Sequence, residues 1–224
     1  MRFLYAALLI LSVVYLVPDI LMHRLKLWTI ARNPAPSGGP RGLCALTFDD
    51  GPNAEFTPLI LDSLRRHGCR ATFFVLGKKA AELPDIVKRM AVEGHEIGIH
   101  GWDHRHPWLL GPLCRGQFER AAKVVESCAG GILPTMYRPP WGFWSLWNAV
   151  GSAGYARIMW SLPSDDWKRE TTPESLTASV LSRIENGSIA LLHDGAAYSW
   201  KTASALDAIL DGIWENGLKA VTVA

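Results

Sequence analysis

The stretch Leu43-Cys44-Ala45-Leu46-Thr47-Phe48-Asp49-Asp50-Gly51-Pro52 decides the fold. A mostly apolar, uncharged run ends in two adjacent acids and is then cut by Gly-Pro. A run of that length stopped by Gly-Pro reads as a buried strand that ends at a turn. Two carboxylates at a strand end occupy the position where α/β folds gather their chemistry.

Working outward, short apolar runs alternate with helical patterns along the rest of the chain. Strands are expected over Gly42 to Phe48, Ala71 to Leu76, Glu96 to Ile99, Thr135 to Arg138, Ala156 to Ser161, Ser188 to His193 and Lys219 to Val223. Helices are expected over Pro58 to His67, Leu83 to Glu93, Gly116 to Ala129, Ser145 to Ala153, Pro173 to Arg183 and Thr202 to Asn216. Strand–helix alternation predicts an α/β fold with a parallel sheet, and about seven such units predict a barrel-like closure. In that arrangement Asp49, Asp50, His100, Arg138 and His193 all fall at strand ends.

Ahead of the first strand, Phe3 to Val17 contains no charged residue, and Pro18-Asp19-Ile20-Leu21-Met22 follows. About 20 residues at 1.5 Å each span a hydrocarbon core of ~30 Å. The expectation is one uncleaved transmembrane helix, because no small-x-small cleavage site precedes the globular part. The resulting organisation is a single-pass anchor over 1–24, a linker over 25–41 and a catalytic-size domain over 42–224. The linker includes the Pro/Gly/Ser stretch Asn33 to Pro40. Arg24, Lys26 and Arg32 outnumber Arg2, which by the positive-inside rule keeps the domain cytoplasmic. A three-charge bias is too small to fix the side.

Composition removes other classes. A net charge of +2 gives no electrostatic case for nucleic acid. The four cysteines show no CxxC spacing, so neither a zinc knuckle nor a redox pair is expected. Cys44 and Cys69 read as inert core thiols, and Cys114 and Cys128 lie about 21 Å apart on one expected helix, beyond a disulfide's reach. Of the ten tryptophans, Trp102, Trp108, Trp141, Trp144, Trp147, Trp160, Trp167 and Trp200 are expected in or near loops, where rings suit sugar faces or a membrane interface.

About 50 residues after the acid pair comes His100-Gly101-Trp102-Asp103-His104. One carboxylate and two imidazoles are common ligands of a hydrolytic metal, and Asp50, His100 and His104 form the expected set. Gly101 favours a loop over a helix for the histidine pair. Three protein ligands leave a position open for water, whose pKa an open-site metal lowers to about 7. Asp49 is then free to act as base. His193, in Leu191-Leu192-His193-Asp194-Gly195, is a candidate general acid; the alternative is a buried structural His193 beside a more exposed Asp194. Arg138-Pro139-Pro140-Trp141-Gly142 is a rigid turn whose Arg138 is expected to hold Asp49 through a bidentate pair. Asp166-Trp167 offers a carboxylate and an aromatic wall. A lone Asp or His is usually a structural hydrogen-bonder, but four at successive strand ends are not explained that way.

These residues resemble the polysaccharide deacetylases of carbohydrate esterase family four, from Gly42 to the C-terminus. The family's Thr-Phe-Asp-Asp motif stands as Thr47-Phe48-Asp49-Asp50, and its His-(Ser/Thr)-x-x-His motif as His100 to His104 with Gly101 in the hydroxyl position. Arg-x-Pro appears as Arg138-Pro139-Pro140 and Leu-x-His as Leu191-Leu192-His193. The resemblance implies a distorted (β/α) barrel and one divalent metal, most often Zn2+, with Co2+ or Ni2+ also used. Asp50, His100 and His104 would be its ligands and Asp49, His193 and Arg138 the catalytic residues. Pro139, Pro140, Trp141, Asp166, Trp167 and Leu191 would line the substrate site. The implied reaction is hydrolysis of an N-acetyl or N-formyl amide on an amino sugar, polymeric or lipid-linked. One departure stands out: where the family has the first Asp of Asp-x-x-Asp-Trp, this chain has Pro163, so either Asp165 replaces that carboxylate or its support of the Arg is lost.

Two rivals remain at this level. A membrane-tethered, non-catalytic carbohydrate-binding protein on the same fold is motivated by Pro163 and Gly101. A phosphoesterase with two metals would need a second ligand cluster, and the sequence shows none.

Overall fold

The computed structural model describes residues 2–27, 29–32, 41–106, 109 and 111–223. The expected Pro/Gly/Ser linker, Asn33 to Pro40, lies outside the described residues, as do Pro107, Trp108 and Leu110. An apolar helix, Leu4–Arg24 (α1), leads the chain. Among the described residues eight parallel strands follow: β1 Gly42–Asp49, β2 Thr72–Val75, β3 Glu96–Ile99, β4 Met136–Tyr137, β5 Ala156–Arg157, β6 Leu162–Pro163, β7 Ile189–His193 and β8 Leu218–Val221. The helices between them are α2 Phe56–Arg66, α3 Gly77–Glu82, α4 Pro84–Val92, α5 Cys114–Cys128, α6 Leu146–Gly151, α7 Pro173–Leu181 and α8 Ser199–Glu215.

β1 is central because it is apolar on both faces, and a parallel strand covered on both faces needs that. From Cys44 to Phe48 every residue is buried. β7 runs along one edge of β1, pairing Ala45 to Asp49 with Ile189 to His193. On the other edge β8 takes Gly42 to Ala45 and β2 takes Thr47 to Asp49. The sheet order is β5-β4-β3-β2-β1-β7-β6, seven strands along a curled path with β8 beside β1. One face packs Leu46, Phe48, Phe73 and Leu192 against α2, α7 and α8. The other face encloses Ala45, Phe74, Met136, Ile158 and Ile189.

Of the expected strand Ala156 to Ser161 only Ala156–Arg157 forms, and a second short strand, Leu162–Pro163, follows it at the opposite edge of the sheet. The chain turns after β5, and Leu162–Pro163 pairs instead with β7. Pro163 has no N–H to donate and fits only an edge. α3 was too short for a periodic signal, and α8 begins earlier than its apolar pattern. Trp144 lies in the loop before α6, as expected, but it is fully buried there, with Nε1 donating to Met159 Sδ at 3.4 Å.

After α1 the chain bonds directly onto the sheet. Ile30 bridges Ile158 in parallel, and Arg32 bridges Ser188 in antiparallel. Within α1, Asp19 Oδ1 accepts from the Trp144 N–H at 3.1 Å. Met22 is only 4% exposed and packs with Ile99, Phe118, Tyr137 and Met159. All four cysteines are free thiols, with Cys114 and Cys128 at the two ends of α5.

Candidate active site

The C-terminal ends of four strands converge. Asp49 ends β1 and pairs in register with His193 of β7. His100 directly follows β3, and Arg138 directly follows β4. Asp50 turns out of the strand with φ +70°, a left-handed conformation that Asp tolerates better than most residues. Its carbonyl accepts from Lys79 Nζ at 2.9 Å, and the same ammonium donates to the Gly195 carbonyl at 2.8 Å. Gly195 is required there, since a Cβ would collide with the Asp50 backbone.

On one side of the site stands Asp49, 3% exposed. Arg138 Nη1 donates to Asp49 Oδ1 at 2.7 Å and lies 2.7 Å from Thr47 Oγ1. The pair is not the expected bidentate one. The other guanidinium donors go to the carbonyls of Ile158 at 3.3 Å and Met159 at 3.0 Å, and the plane lies 4.2 Å over Phe74.

In the middle, Asp50, His100 and His104 each present one ligand atom within 4.8 Å of the others. Asp50 Oδ1 lies 3.1 Å from His104 Nε2 and 3.4 Å from His100 Nε2, and it is buried with no hydrogen-bond donor. His100 Nδ1 lies 2.9 Å from the Arg138 carbonyl, which assigns the proton to Nδ1 and turns the Nε2 lone pair toward Asp50. Burial, with His100 alongside, pushes His104 down to about 4, keeping it in the neutral form that binds metal. Burial opposes charge on Asp50, yet the imidazoles of His100 and His104 outweigh it and hold the carboxyl far below its usual range. An orphaned carboxylate oxygen among imidazole lone pairs fits a divalent cation.

On the opposite side is His193. Its backbone N–H donates to Asp166 Oδ2 at 2.7 Å, and its Nδ1 to Asp166 Oδ1 at 2.8 Å. Thr202 Oγ1 fixes Asp166 from behind, donating at 2.7 Å. Burial works against the imidazolium, but the Asp166 carboxylate outweighs it and raises His193 to about 9. Asp194, by contrast, is fully buried away from the site, accepts from Thr57 Oγ1 at 2.6 Å, and is pushed up to about 7 by burial.

A cavity of about 490 Å³ joins these groups; Asp49, Asp50, His100, His104 and His193 line it, with Trp141, Trp160, Trp167, Leu191 and Tyr198 as walls. Trp141 is 63% exposed at the rim and donates from Nε1 to the His104 carbonyl at 3.3 Å. Pro139 and Pro140 are buried behind the rim, and Asp166 sits beneath His193 rather than on the wall. Trp160 and Tyr198 were not singled out as lining residues: Trp160 was expected only as one of several tryptophans near loops, at the end of an expected strand, and nothing in the sequence around Tyr198 marks it. Lys79 likewise carries no signal, because its two acceptors are backbone carbonyls.

Comparison with known proteins bears on this arrangement. A family profile described as Polysaccharide deacetylase matches residues 37–158. The chain belongs to the polysaccharide deacetylase family. It is 37% identical over 181 residues to the peptidoglycan-N-acetylglucosamine deacetylase PgdA of Listeria monocytogenes, covering 80% of this chain but 37% of that protein. It is 36% identical over 174 residues to a chitooligosaccharide deacetylase of a Bradyrhizobium species, covering 76% of this chain and 78% of that one. A family 4 acetyl xylan esterase from Clostridium thermocellum, solved with a cobalt ion, superposes with TM-score 0.75 at 33% identity, covering 81% of this chain and 88% of that one.

Against the polysaccharide deacetylase motifs, the two departures have physical explanations. Asp165 does not replace the carboxylate missing at Pro163: its side chain is 41% exposed and pairs with Lys168 at 3.1 Å. Arg138 is held instead by two backbone carbonyls, Thr47 and Phe74. Gly101 has φ +92°, a conformation that a residue bearing a side chain rarely adopts.

Proposed function

We propose that this chain is a metal-dependent deacetylase that hydrolyses the N-acetyl group of an amino sugar in a glycan. The observation that carries the reading is that Asp49, oriented by Arg138, and His193, oriented by Asp166, flank Asp50, His100 and His104 across one cavity. Zinc is the metal proposed, since two imidazoles and one carboxylate suit it and leave a position open. When bound there it would act as Lewis acid on the amide and lower the pKa of water.

The chain's own residues supply the rest. Arg138 fixes the Asp49 carboxylate through Oδ1 and leaves Oδ2 as the proton acceptor. In the Arg138 to Trp141 turn, the Arg138 N–H is spent on the Ile99 carbonyl and the two prolines have none. The Trp141 N–H remains as a donor for the negative charge that develops on the amide oxygen. With Nδ1 bonded to Asp166, His193 offers an Nε2 proton to the departing amine. Trp141, Trp160 and Trp167 provide flat apolar walls for sugar rings.

The helix Leu4–Arg24 is read as a retained single-pass anchor. The support is that residues from Asp19 to Arg32 bond into the domain, so cutting the segment away would strip parts of the fold.

The test uses the full chain in detergent with zinc and N-acetylated chitooligosaccharides. Release of acetate with appearance of a free amine, lost in Asp49→Asn and His193→Ala, is the expected result. Tight oligosaccharide binding without turnover in a metal-loaded protein would replace this reading with the non-catalytic one.

A further inference from the structure

The helix α1 and the cavity rim are built on one segment. Between Arg138 and Arg157 the chain carries no Asp, Glu, Lys, Arg or His, from Pro139 to Ala156. Trp141, at the start of this segment, forms the exposed cavity rim. Three residues on, the Trp144 N–H bonds Asp19 of α1. α6, further along, lies against the middle of α1 at Ser12–Leu16. His106 packs on this segment, its ring 6.4 Å from Trp141 and 4.9 Å from Phe143. From the other side, His23 and Lys26 reach Trp160, a cavity wall, at 5.7 Å ring to ring and by a 3.0 Å bond to its carbonyl.

Length then decides where the domain sits. The 21 residues of α1 give about 31 Å, just enough for a hydrocarbon core of ~30 Å. The second half of α1 is already alongside the domain, from Ser12 onward. Because α6 packs on the middle of α1, α1 enters the bilayer only with these neighbours drawn down against the lipid, and a domain with a polar body follows no deeper than the lipid–water interface. Their outward residues suit that layer: Val150 and Leu146 on α6 are exposed, and so are Leu109 and Leu113 beside the start of α5. Arg24 and Lys26, at the end of α1, add positive charge beside this face, complementary to anionic headgroups, while Arg105 and Arg115 are paired with Asp103 and Glu119.

We propose that the Pro139–Ala156 face rests in the interfacial layer of the bilayer, so that the cavity opens at headgroup level and the substrate is an amino sugar carried by a membrane lipid. The substrate part rests on the deacetylase reading above; the docking part does not.

The experiment places the full chain in phosphatidylethanolamine–phosphatidylglycerol vesicles. Val150→Cys, labelled with an environment-sensitive dye, reports depth through quenching by doxyl lipids. In the same vesicles, turnover of a lipid-linked N-acetylglucosamine is compared with that of water-soluble N-acetylchitotetraose. Quenching is expected, together with a loss of about tenfold or more on the lipid-linked sugar when Leu146→Glu and Val150→Glu are combined, at nearly unchanged rate on the soluble one. An unquenched label, or a variant that slows both substrates equally, overturns the proposal. Quenching with no turnover of either sugar by a metal-loaded chain leaves the docking standing and removes the deacetylase reading with its lipid-borne substrate.

Discussion

Arg138 Nη1 lies 2.7 Å from Asp49 Oδ1, and both side chains are closed off from solvent. Removing one member of a buried ion pair costs about 3–5 kcal/mol, because the other charge is left unpaired. Arg138→Met should therefore lower stability by roughly that amount, and should slow turnover by 10-fold or more through the misplaced base. Denaturant midpoints and initial rates for the two proteins measure both effects. A variant with the wild-type midpoint would show that the pair contributes little to the fold.

His193 is held protonated by Asp166, with its pKa raised to about 9. A general acid works only in its protonated form, so kcat/KM should stay high through neutral pH and fall as pH rises through about 9. Asp166→Asn removes the carboxylate that raises the value, and the alkaline limb should move down toward the unperturbed histidine value of about 6.5. The pH–rate profiles of the two proteins are the check, and superimposable alkaline limbs would exclude Asp166 as the cause.

Asp50 Oδ1 has no hydrogen-bond donor although it is buried between His100 and His104. Purified full chain supplied with zinc should hold about one metal, and Asp50→Ala or His104→Ala should hold almost none. Because metal binds the folded state, chelation should lower the melting temperature of the wild type and leave that of Asp50→Ala unchanged. Elemental analysis beside the melts separates this from a purely structural Asp50, for which chelation would move neither.

Asp49, Asp50, His100 and His193 could be grouped from the sequence because each closes or directly follows a strand, and a strand's end is marked in sequence by an apolar run meeting a polar residue; His104 was reached from His100 by the spacing of the histidine pair. The grip on Arg138 was not legible, because it comes from the carbonyls of Ile158 and Met159, which every residue type possesses. Asp166 was read as a wall residue because its position beneath His193 depends on β6 lying beside β7, and a two-residue strand leaves no periodic trace. Likewise α1 reads from composition as a free anchor, while the packing of Met22 and the Asp19–Trp144 bond exist only once α6 is folded against it.

Asp194 is fully buried and its pKa is raised to about 7 by that burial. A folded-state value above the unfolded one means its stabilising contribution is complete below the unfolded pKa near 4 and is lost as pH rises through about 7. Asp194→Asn carries no charge to bury and keeps an acceptor for Thr57. Relative to wild type, its melting temperature should rise between pH 5 and pH 8, and thermal melts at the two pH values test that sign.

Met22 tests whether α1 is part of the domain or only joined to it. Its side chain is 4% exposed among Ile99, Phe118, Tyr137 and Met159, whereas Leu9, on the same helix, is 65% exposed. Truncating a buried Met to Ala costs about 2–5 kcal/mol through lost contacts and a residual cavity. Met22→Ala should therefore destabilise the catalytic domain in detergent, and Leu9→Ala, with no protein neighbour to lose, should not. Because Lys26 and His23 hold Trp160 from the same segment, Met22→Ala should also raise KM for a soluble oligosaccharide, while Leu9→Ala leaves KM at the wild-type value. Equal melting temperatures and equal KM for the two variants would make α1 a tether alone.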